Sequence, residues 1–322
     1  VWRLDSVEYR GFSPRMDSLL RQNITATFLK RNDAFSVINL ANEQSRIEQL
    51  FKENGYYYYS ADMTTYSADT LQHKGRVQLR VQPDELRPLN ARHPWYIGHT
   101  YVSIRNNAKE APDSTIQRRN MTFSFSGKKM PLRANIWRGA INHRQGELYQ
   151  WSRGQSTLEK LSALGVLSQM DVDYVPRDTT ALCDTLDVYV TAVMDKLYDA
   201  TFETNVMFKS NQQIGPGVSF GLAKRNAFGG AERVSFDIFG SYEWQTGMGR
   251  EGNKSLLNSY ELGTQLAITL PRFAFPGISR RRHRFPATTT FALTGSWRNR
   301  SRFFNRVSMG AGITYNWQRR AT

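Results

Sequence analysis

The chain has 322 residues, with 43 Lys and Arg against 28 Asp and Glu, which gives a net charge of +15. This length is enough for two or three domains. Hydrophobic residues make up 40% of the chain, and no apolar run reaches the roughly 18 to 20 residues of a spanning helix, which excludes a helical membrane protein. A single cysteine, Cys183, excludes an internal disulfide framework and a cysteine-based zinc cluster.

The sequence carries no pattern for catalysis or for cofactor binding. Its five histidines do not follow H-E-x-x-H or another metal-ligand spacing. Gly127-Lys128-Lys129 lacks the glycine spacing and the Ser or Thr of a phosphate-binding loop. We therefore predict no catalytic, metal-binding or cofactor-binding residues and no enzyme activity. The first residues contain no charged and apolar leader, which predicts that any signal segment has been removed.

Residues 1–90 are predicted to form a small α+β domain in the order strand, helix, helix, strand, strand. The evidence is an alternating polar and apolar pattern in the strands, apolar residues at helical spacing, and Gly55 as a helix stop. The predicted elements are a strand over Trp2–Tyr9, helices over Met16–Leu29 and Asn39–Asn54, and strands over Tyr56–Met63 and Arg76–Gln82.

Residues 91–196 repeat this order with an insertion. The predicted elements are a strand over Tyr96–Ile104, helices over Leu132–Ile141 and Thr157–Leu167, and strands over Asp171–Val175 and Thr185–Val193. In the second helix, Leu158, Leu161 and Leu164 are predicted to face the core. A repeat of this length is too large for a solenoid unit, so two α+β domains in tandem are expected, forming a binding arm.

Residues 197–322 differ in character from the arm. They hold most of the excess positive charge, lose helical periodicity, and form about six segments in which apolar and polar residues alternate. Phe239 and Gly240 interrupt the alternation in the third of these segments. Each segment is close to the 9 to 11 residues with which a tilted strand crosses a bilayer. Aromatic residues near the segment ends are typical of a membrane-interface belt: Tyr242, Trp244, Tyr260, Trp297, Tyr315 and Trp317.

Such strands predict part of an antiparallel transmembrane β-barrel, because a bilayer offers no water to unpaired backbone groups. A soluble antiparallel sandwich is the structural alternative. A second alternative, from another functional class, is a basic nucleic-acid-binding β protein, which the net charge and the aromatic residues would suit. Against nucleic acid as a partner, Arg and aromatic residues lie on opposite faces of the strands, whereas a base-stacking surface presents both together.

Several motifs resemble a known family. The pattern of helix, glycine, aromatic or apolar residue and strand, in Asn42–Tyr56 and again in Thr157–Val172, resembles the polypeptide-transport-associated (POTRA) repeat. Phe208–Asn211, Ile214–Leu222 and Lys224–Glu232, followed by Gly240-Ser-Tyr-Glu-Trp244, are similar to the opening barrel strands of the outer-membrane BamA/TamA family, in the surface-antigen subgroup. The presence of two arm domains favours a TamA-like member.

The resemblance implies a function in the Gram-negative outer membrane, with the POTRA domains in the periplasm. The arm would capture unfolded outer-membrane or exported client polypeptides. The first barrel strand would then template their insertion at a lateral gate, without covalent chemistry. The gate residues would be Phe202, Thr204, Val206 and Phe208. Accessory periplasmic or lipoprotein partners are also implied, and a dedicated secretion or lipid-transport barrel remains an alternative within the family.

The same topology predicts external loops over residues 210–213 and 245–258 and periplasmic turns over 227–231 and 275–286. A basic cluster in the second turn is expected to contact outer-membrane lipid headgroups, and consists of Arg280, Arg281, Arg282 and Arg284. The sequence departs from the family in containing about six barrel strands, so residues 197–322 are expected to form only the first part of a barrel.

Overall fold

The computed structural model describes residues 2–71, 75–107, 109–180, 183–208, 213–245, 259–274, 287–300 and 304–317. These residues form three sheets, of three, five and six strands. The first two sheets each pack with helices, and the third has no helix of its own. Among the described helices, none is both long and apolar enough to cross a bilayer.

The first unit contains three strands and two helices. Its elements are β1 (Arg3–Tyr9), α1 (Pro14–Gln22), α2 (Val37–Glu53), β2 (Thr64–Asp69) and β3 (Arg76–Pro83). The central β3 pairs in parallel with β1 and antiparallel with β2. Ile47 and Phe51, one helical turn apart on α2, pack against Leu4 and Val81 of the sheet, as the spacing of apolar residues predicts.

Two predicted elements of this unit are wrong. Tyr56–Met63 does not form a strand, because Tyr56 and Tyr59 fold back against Phe51, with ring centroids 5.6 and 4.8 Å away. The predicted helix to Leu29 ends at Gln22 instead. Asn23 stops it by bonding its side-chain amide to the carbonyl of Leu19, 3.0 Å away, a local bond that competes with continued helix.

The second unit repeats this arrangement and adds a hairpin. Its elements are β4 (Tyr96–Arg105), β5 (Ser114–Arg118), β6 (Met121–Phe125), α3 (Ala134–Ala140), α4 (Trp151–Ala163), β7 (Leu167–Pro176) and β8 (Thr185–Met194). The strand order is β5-β6-β4-β8-β7. The β5–β6 hairpin is the insertion seen in the sequence, whose strands the sequence reading did not predict. It extends the sheet beyond β4 and leaves β7 at the opposite edge.

Helix α4 differs from its prediction at both ends. It begins at Trp151, six residues before the predicted start, and ends at Ala163. Leu161 is fully buried, whereas Leu158 and Leu164 are only half-buried. The buried position beside Leu161 is Thr157, whose hydroxyl bonds the Arg153 carbonyl within the helix, 2.8 Å away. A polar residue that satisfies its own hydroxyl can occupy such a position, so the leucine spacing alone misplaced the buried stripe.

Six antiparallel strands follow, in the spatial order β14-β13-β12-β11-β10-β9. They are β9 (Tyr198–Phe208), β10 (Gln213–Lys224), β11 (Arg233–Gln245), β12 (Ser259–Leu270), β13 (Ala287–Arg300) and β14 (Phe304–Trp317). Each strand pairs with its neighbour in sequence, which is the meander expected of the first part of a barrel. The predicted fold class, tandem α+β units followed by antiparallel strands, is confirmed.

Phe239 and Gly240 interrupt the polar and apolar alternation of β11 without shifting its register. The register of β11 with β12 runs without a bulge, and Phe239 lies opposite Gly263 on the polar face. A Cβ atom on Gly263 would overlap the Phe239 ring. The ring therefore covers a glycine across the strand pair, which explains why an aromatic residue stands on a face otherwise made of small and polar side chains.

Candidate functional site: two strand edges and the junctions between them

Strand β9 forms one edge of the six-stranded sheet. Within the described residues it pairs only with β10, and its other side meets no strand. Phe202, Val206 and Phe208 point away from the polar face and are 69%, 60% and 78% exposed. Thr204 lies between them on the same face and is exposed as well. The structure thus brings the four predicted gate residues together on one face of an edge strand.

The strand beside β9 contains an irregularity that the sequence reading did not assign a role. Gly215 and Pro216 of β10 keep their register with β9, but the pairing of β10 with β11 skips both residues. A Cβ atom on Gly215 would overlap the carbonyl oxygen of Tyr242. Proline has no N–H to donate to a ladder. The pairing of β10 with β9 is therefore continuous, whereas its pairing with β11 is interrupted at these two residues.

The predicted belt residues lie at two opposite ends of the sheet. Tyr242 and Trp244 lie at the end of β11 that is farther from the arm, with ring centroids 6.1 Å apart. Trp297 contacts Tyr260 at that same end, at 5.2 Å. The remaining two, Tyr315 and Trp317, are at the arm-side end of β14. The predicted lipid contacts Arg280, Arg281, Arg282 and Arg284, and the loops over 210–212 and 246–258, lie outside the described residues.

Strand β7 forms one edge of the five-stranded sheet and, in the part of the chain that the structure describes, pairs only with β8. A groove of about 410 Å³ runs beside it, between β7 and α4. We call this the β7 groove. Its lining is mainly aromatic and apolar, with Tyr57 and Tyr58 contributed by the first unit and Leu158, Val172 and Tyr174 by the second. The half-buried Leu158 is therefore a groove residue and not a core residue.

A cluster of one buried and two half-buried tyrosine rings forms the wall of the β7 groove. The rings of Tyr57, Tyr149 and Tyr174 lie 5.0 to 5.5 Å apart. The hydroxyl of Tyr174 is hydrogen-bonded to Nε2 of His143, 2.6 Å away. Burial, with a smaller contribution from the nearby positive charge of Arg153, lowers the pKa of His143 from 6.5 to about 4. Burial also raises the pKa of the Tyr149 and Tyr174 hydroxyls, so the cluster is uncharged at neutral pH.

The first unit is held against the second by the turn that follows α2. The carbonyl of Gly55 accepts a bond from the Trp95 N–H, 2.8 Å away. Glu53 accepts a bond from the N–H of Ser152, 3.0 Å away, at the start of α4. A carboxylate at that position satisfies an otherwise unpaired N–H group and complements the helix dipole. Tyr58 adds a ring contact with Trp95 at 5.3 Å.

The turn between β10 and β11 packs against the second unit. We call residues 225–232 the docking turn. Arg225 forms ion pairs with Asp195 and with Asp199, the latter at 2.8 Å. Asn226, which has a positive φ of 53°, donates to the Pro131 carbonyl at 2.8 Å. Its side-chain oxygen accepts the Ala231 N–H at 3.1 Å.

Two further contacts seat the docking turn. The Arg133 N–H donates to the Gly229 carbonyl at 2.8 Å, and Ala231 is buried in the core of the second unit. From the sequence a turn over 227–231 and a family motif over Lys224–Glu232 were predicted, but not the docking of this turn on the second unit. A usable signal was Asn226, since Asn is among the few non-glycine residues that tolerate a left-handed backbone in a tight turn.

No catalytic constellation emerges from these contacts. The described residues bring no three His, Cys, Asp or Glu side chains together as a cation site. The features that the fold does assemble are the β9 edge, the β7 groove and the two junctions between them. Both edges offer backbone groups to an added strand, which is an interaction that tolerates many client sequences.

Solved structures of outer-membrane proteins resemble this arrangement. BamA from Haemophilus ducreyi lacking POTRA domains 1-3 matches with a TM-score of 0.52 and 12% sequence identity, over 98% of this chain and 59% of that one. Two weaker matches are CdiB from Acinetobacter baumannii, with a TM-score of 0.35, 12% identity and coverage of 100% and 59%, and BamA POTRA3-5 from Haemophilus influenzae, with a TM-score of 0.36, 15% identity and coverage of 60% and 61%. No protein-family profile and no curated protein matches the sequence.

The chain therefore has the fold of POTRA units followed by antiparallel strands of the barrel type. Within that class its architecture is the one seen in BamA, of whose solved structure it spans 59%. The expected resemblance to the BamA/TamA family is confirmed at the level of the fold. Its assignment to the TamA-like subgroup stays a prediction.

Proposed function

We propose that the chain is part of a bacterial outer-membrane protein that assembles or translocates other polypeptides, with its POTRA units in the periplasm. The observation that carries this proposal is the β9 edge. In a closed barrel that edge meets the final strand, so it is a seam where the two strands are not joined by a hairpin. A client strand that binds there satisfies backbone groups which the bilayer cannot.

The positions of the aromatic residues support a membrane location. Trp297 is paired with Val307, and Tyr315 and Trp317 lie eight and ten residues further along β14. Those residues span about 27 to 34 Å along a strand, or about 20 to 26 Å along the normal of a membrane that the strand crosses at 40°. This matches the height of the apolar band of an outer-membrane barrel, about 25 Å. The apolar side chains between the two ends are exposed.

The β7 groove is the proposed site of client capture. An extended polypeptide that adds to β7 gains backbone hydrogen bonds and places alternate side chains in the groove between β7 and α4. The aromatic lining provides a large apolar contact area for many side-chain types. Because Tyr57 and Tyr58 come from the first unit, a client in this groove contacts both units at once.

The docking turn connects capture to insertion. It continues directly from β10, which pairs with β9, and it is fixed to the second unit by the ion pair of Arg225 with Asp195 and by Asn226. A change in the position of the second unit therefore acts on the β9–β10 hairpin. The interruption at Gly215 and Pro216 makes the β10–β11 pairing the weakest point for such a movement.

This proposal requires no cofactor and no covalent step, because strand addition is driven by hydrogen bonding and burial. It covers a general assembly factor and a barrel dedicated to one exported client, since both would use the same strand edges. Outer-membrane lipid, contacted by Arg280, Arg281, Arg282 and Arg284, and accessory periplasmic or lipoprotein partners remain part of the proposal.

Photo-crosslinking in cells tests the role of the β9 edge. A photoreactive phenylalanine replaces Val206 on β9 in the natural gene product, and newly exported outer-membrane polypeptides are pulse-labelled before irradiation. The matched control replaces Leu266, which is also exposed on the apolar face of the sheet. It lies on β12, which pairs with β11 on one side and with β13 on the other. We expect labelled clients to crosslink at Val206 and not at Leu266. Equal yields at the two positions would refute insertion at this edge.

A further inference from the structure

Strand β7 has two faces of different chemistry. Val172 and Tyr174 pack against the core of the second unit and line the β7 groove. Asp171 and Asp173 alternate with them and lie on the opposite, open face of the sheet, where both are exposed. A strand that adds to β7 therefore places one row of its side chains in the groove and the other row beside two carboxylates.

The two aspartates of β7 are not neutralised by their neighbours. On β8 they lie opposite the uncharged residues Thr191 and Tyr189. By contrast, Asp187 on the same face is paired with Arg177, at 2.7 Å. Among the residues that the structure describes, no Lys or Arg forms an ion pair with either aspartate of β7. Both carboxylates are thus available to pair with charges on an added strand.

The β7 groove itself suits apolar side chains. Tyr57 of the first unit and Leu158 of α4 line it together with Val172. Lys52 is the cation among the described lining residues, and it is already paired with Glu48, at 2.5 Å. A side chain that enters the groove meets rings and methyl groups, whereas the residues on either side of it meet the aspartates.

The β9 edge repeats this division of charge. Phe202 and Thr204 lie on one face of β9, and Glu203 between them lies exposed on the polar face. Asp199, nearer the arm, is bound by Arg225, but in the described part of the chain no cation is paired with Glu203. A client strand that is captured on β7 and then added to β9 therefore meets the same arrangement twice.

The six-stranded sheet contains an example of the complementary pairing. Arg298 of β13 lies directly opposite Glu261 of β12, and its Nε donates to the glutamate carboxylate at 2.8 Å. Their neighbours Trp297 and Leu262 lie opposite each other on the apolar face. An antiparallel strand pair can thus combine an apolar row on one face with a carboxylate and a cation on the other.

We propose that the β7 groove selects client strands in which apolar or aromatic residues alternate with Lys or Arg. The client's apolar residue opposite Val172 enters the groove, and its two neighbours place their cations opposite Asp171 and Asp173. Opposite charges directly across a strand pair stabilise it and like charges destabilise it, so acidic strands are rejected at the same site. This inference rests on the proposed role of the groove in client capture and adds the class of client.

Binding of matched peptides to the purified natural gene product tests the inference. Three fluorescent nine-residue peptides alternate valine and threonine, except at the two positions that flank the central valine, which are both lysine, both glutamine or both glutamate. We expect the lysine peptide to bind about 2- to 30-fold more tightly than the glutamine peptide, as two opposite-charge pairs allow, and the glutamate peptide to bind most weakly. Added salt should reduce these differences, because it screens exposed charges.

Three double variants separate the site from overall charge. Asp171→Asn with Asp173→Asn should abolish the preference for lysine and leave the affinity for the glutamine peptide unchanged. Asp171→Lys with Asp173→Lys should reverse the preference, toward the glutamate peptide. The matched control, Asp178→Asn with Asp184→Asn, removes two exposed carboxylates from the loop between β7 and β8 and should retain the preference for lysine.

The outcomes distinguish the charge selection from the capture role itself. Equal affinities for the lysine and glutamine peptides, or equal effects of the two asparagine pairs, would overturn the charge selection and leave capture of apolar strands in place. If none of the three peptides binds, or if binding requires a dimer of the chain to dissociate first, capture at β7 is wrong as well. Because Asp171 and Asp173 are exposed, their replacement leaves the core intact, so a negative result is not explained by unfolding.

Discussion

Replacing Asn226 with Ala is predicted to release the docking turn from the second unit. The side chain of Asn226 makes two hydrogen bonds, one to the Pro131 carbonyl and one from the Ala231 N–H. Its backbone is left-handed, with φ of 53°, a conformation that disfavours residues carrying a Cβ and that Asn tolerates better than Ala. Asn226→Ala removes both bonds and adds backbone strain.

The expected loss follows from these contacts. Each hydrogen bond contributes about 1 kcal/mol, and the left-handed backbone costs Ala about 1 kcal/mol, which together weaken docking by about 3 kcal/mol. That is about a 100-fold change in the equilibrium between docked and released turn. Asn226→Gly removes the same bonds without the strain, so it is expected to cost about 2 kcal/mol.

Amide hydrogen exchange measures this equilibrium directly. The Arg133 N–H donates to the Gly229 carbonyl of the docking turn, so its exchange reports release. We expect exchange at Arg133 to accelerate in the order wild type, Asn226→Gly, Asn226→Ala, while the amide of Val190 in β8 is unchanged. Unaltered exchange at Arg133 in both variants would refute the idea that Asn226 holds the turn.

Two further predictions concern the wall of the β7 groove. A Cβ at position 154 would lie 2.7 Å from the Tyr174 hydroxyl, whereas one at Gly139 of α3 meets nothing within 4 Å. Urea unfolding should therefore show that Gly154→Ala destabilises the second unit by about 1 to 3 kcal/mol and that Gly139→Ala stabilises it by about 0.5 to 1 kcal/mol. Equal effects of the two substitutions would contradict this account. The pKa of His143 falls on folding from 6.5 to about 4, so the unfolded chain binds the extra proton between these values and stability is lost as the pH drops through that window, by about 3 kcal/mol in total. In His143→Gln the urea midpoint should depend less on pH between 6.5 and 4 than it does in the wild type. An identical pH dependence in the two proteins would exclude His143 as its source.

Much of the architecture was predictable from local pattern. The alternation in residues 197–322 fixed six strands and their polar and apolar faces, because a strand has a side-chain period of two residues whatever it packs against. Helical spacing similarly located α2 and the buried pair Ile47 and Phe51. Errors arose where side-chain packing overrides the local pattern, as at Tyr56–Met63, where a strand was predicted but the tyrosines pack around Phe51.

The gate residues on β9 could be placed on one face from sequence, since they alternate within one strand. The β7 groove could not, because it combines Tyr57 and Tyr58 of one unit with Leu158 and Tyr174 of the other, and no local rule relates those positions.

The sequence by itself determined the order of elements, the period of each strand and the division into two repeated units and a strand-rich half, because these depend on propensity and periodicity over short segments. Tertiary structure alone decided which strands became edges, where the aromatic rings cluster, and how Asn226 and Arg225 fix the docking turn to the second unit. These features depend on hydrogen bonds and packing between residues tens of positions apart, whose meeting is set by the fold as a whole.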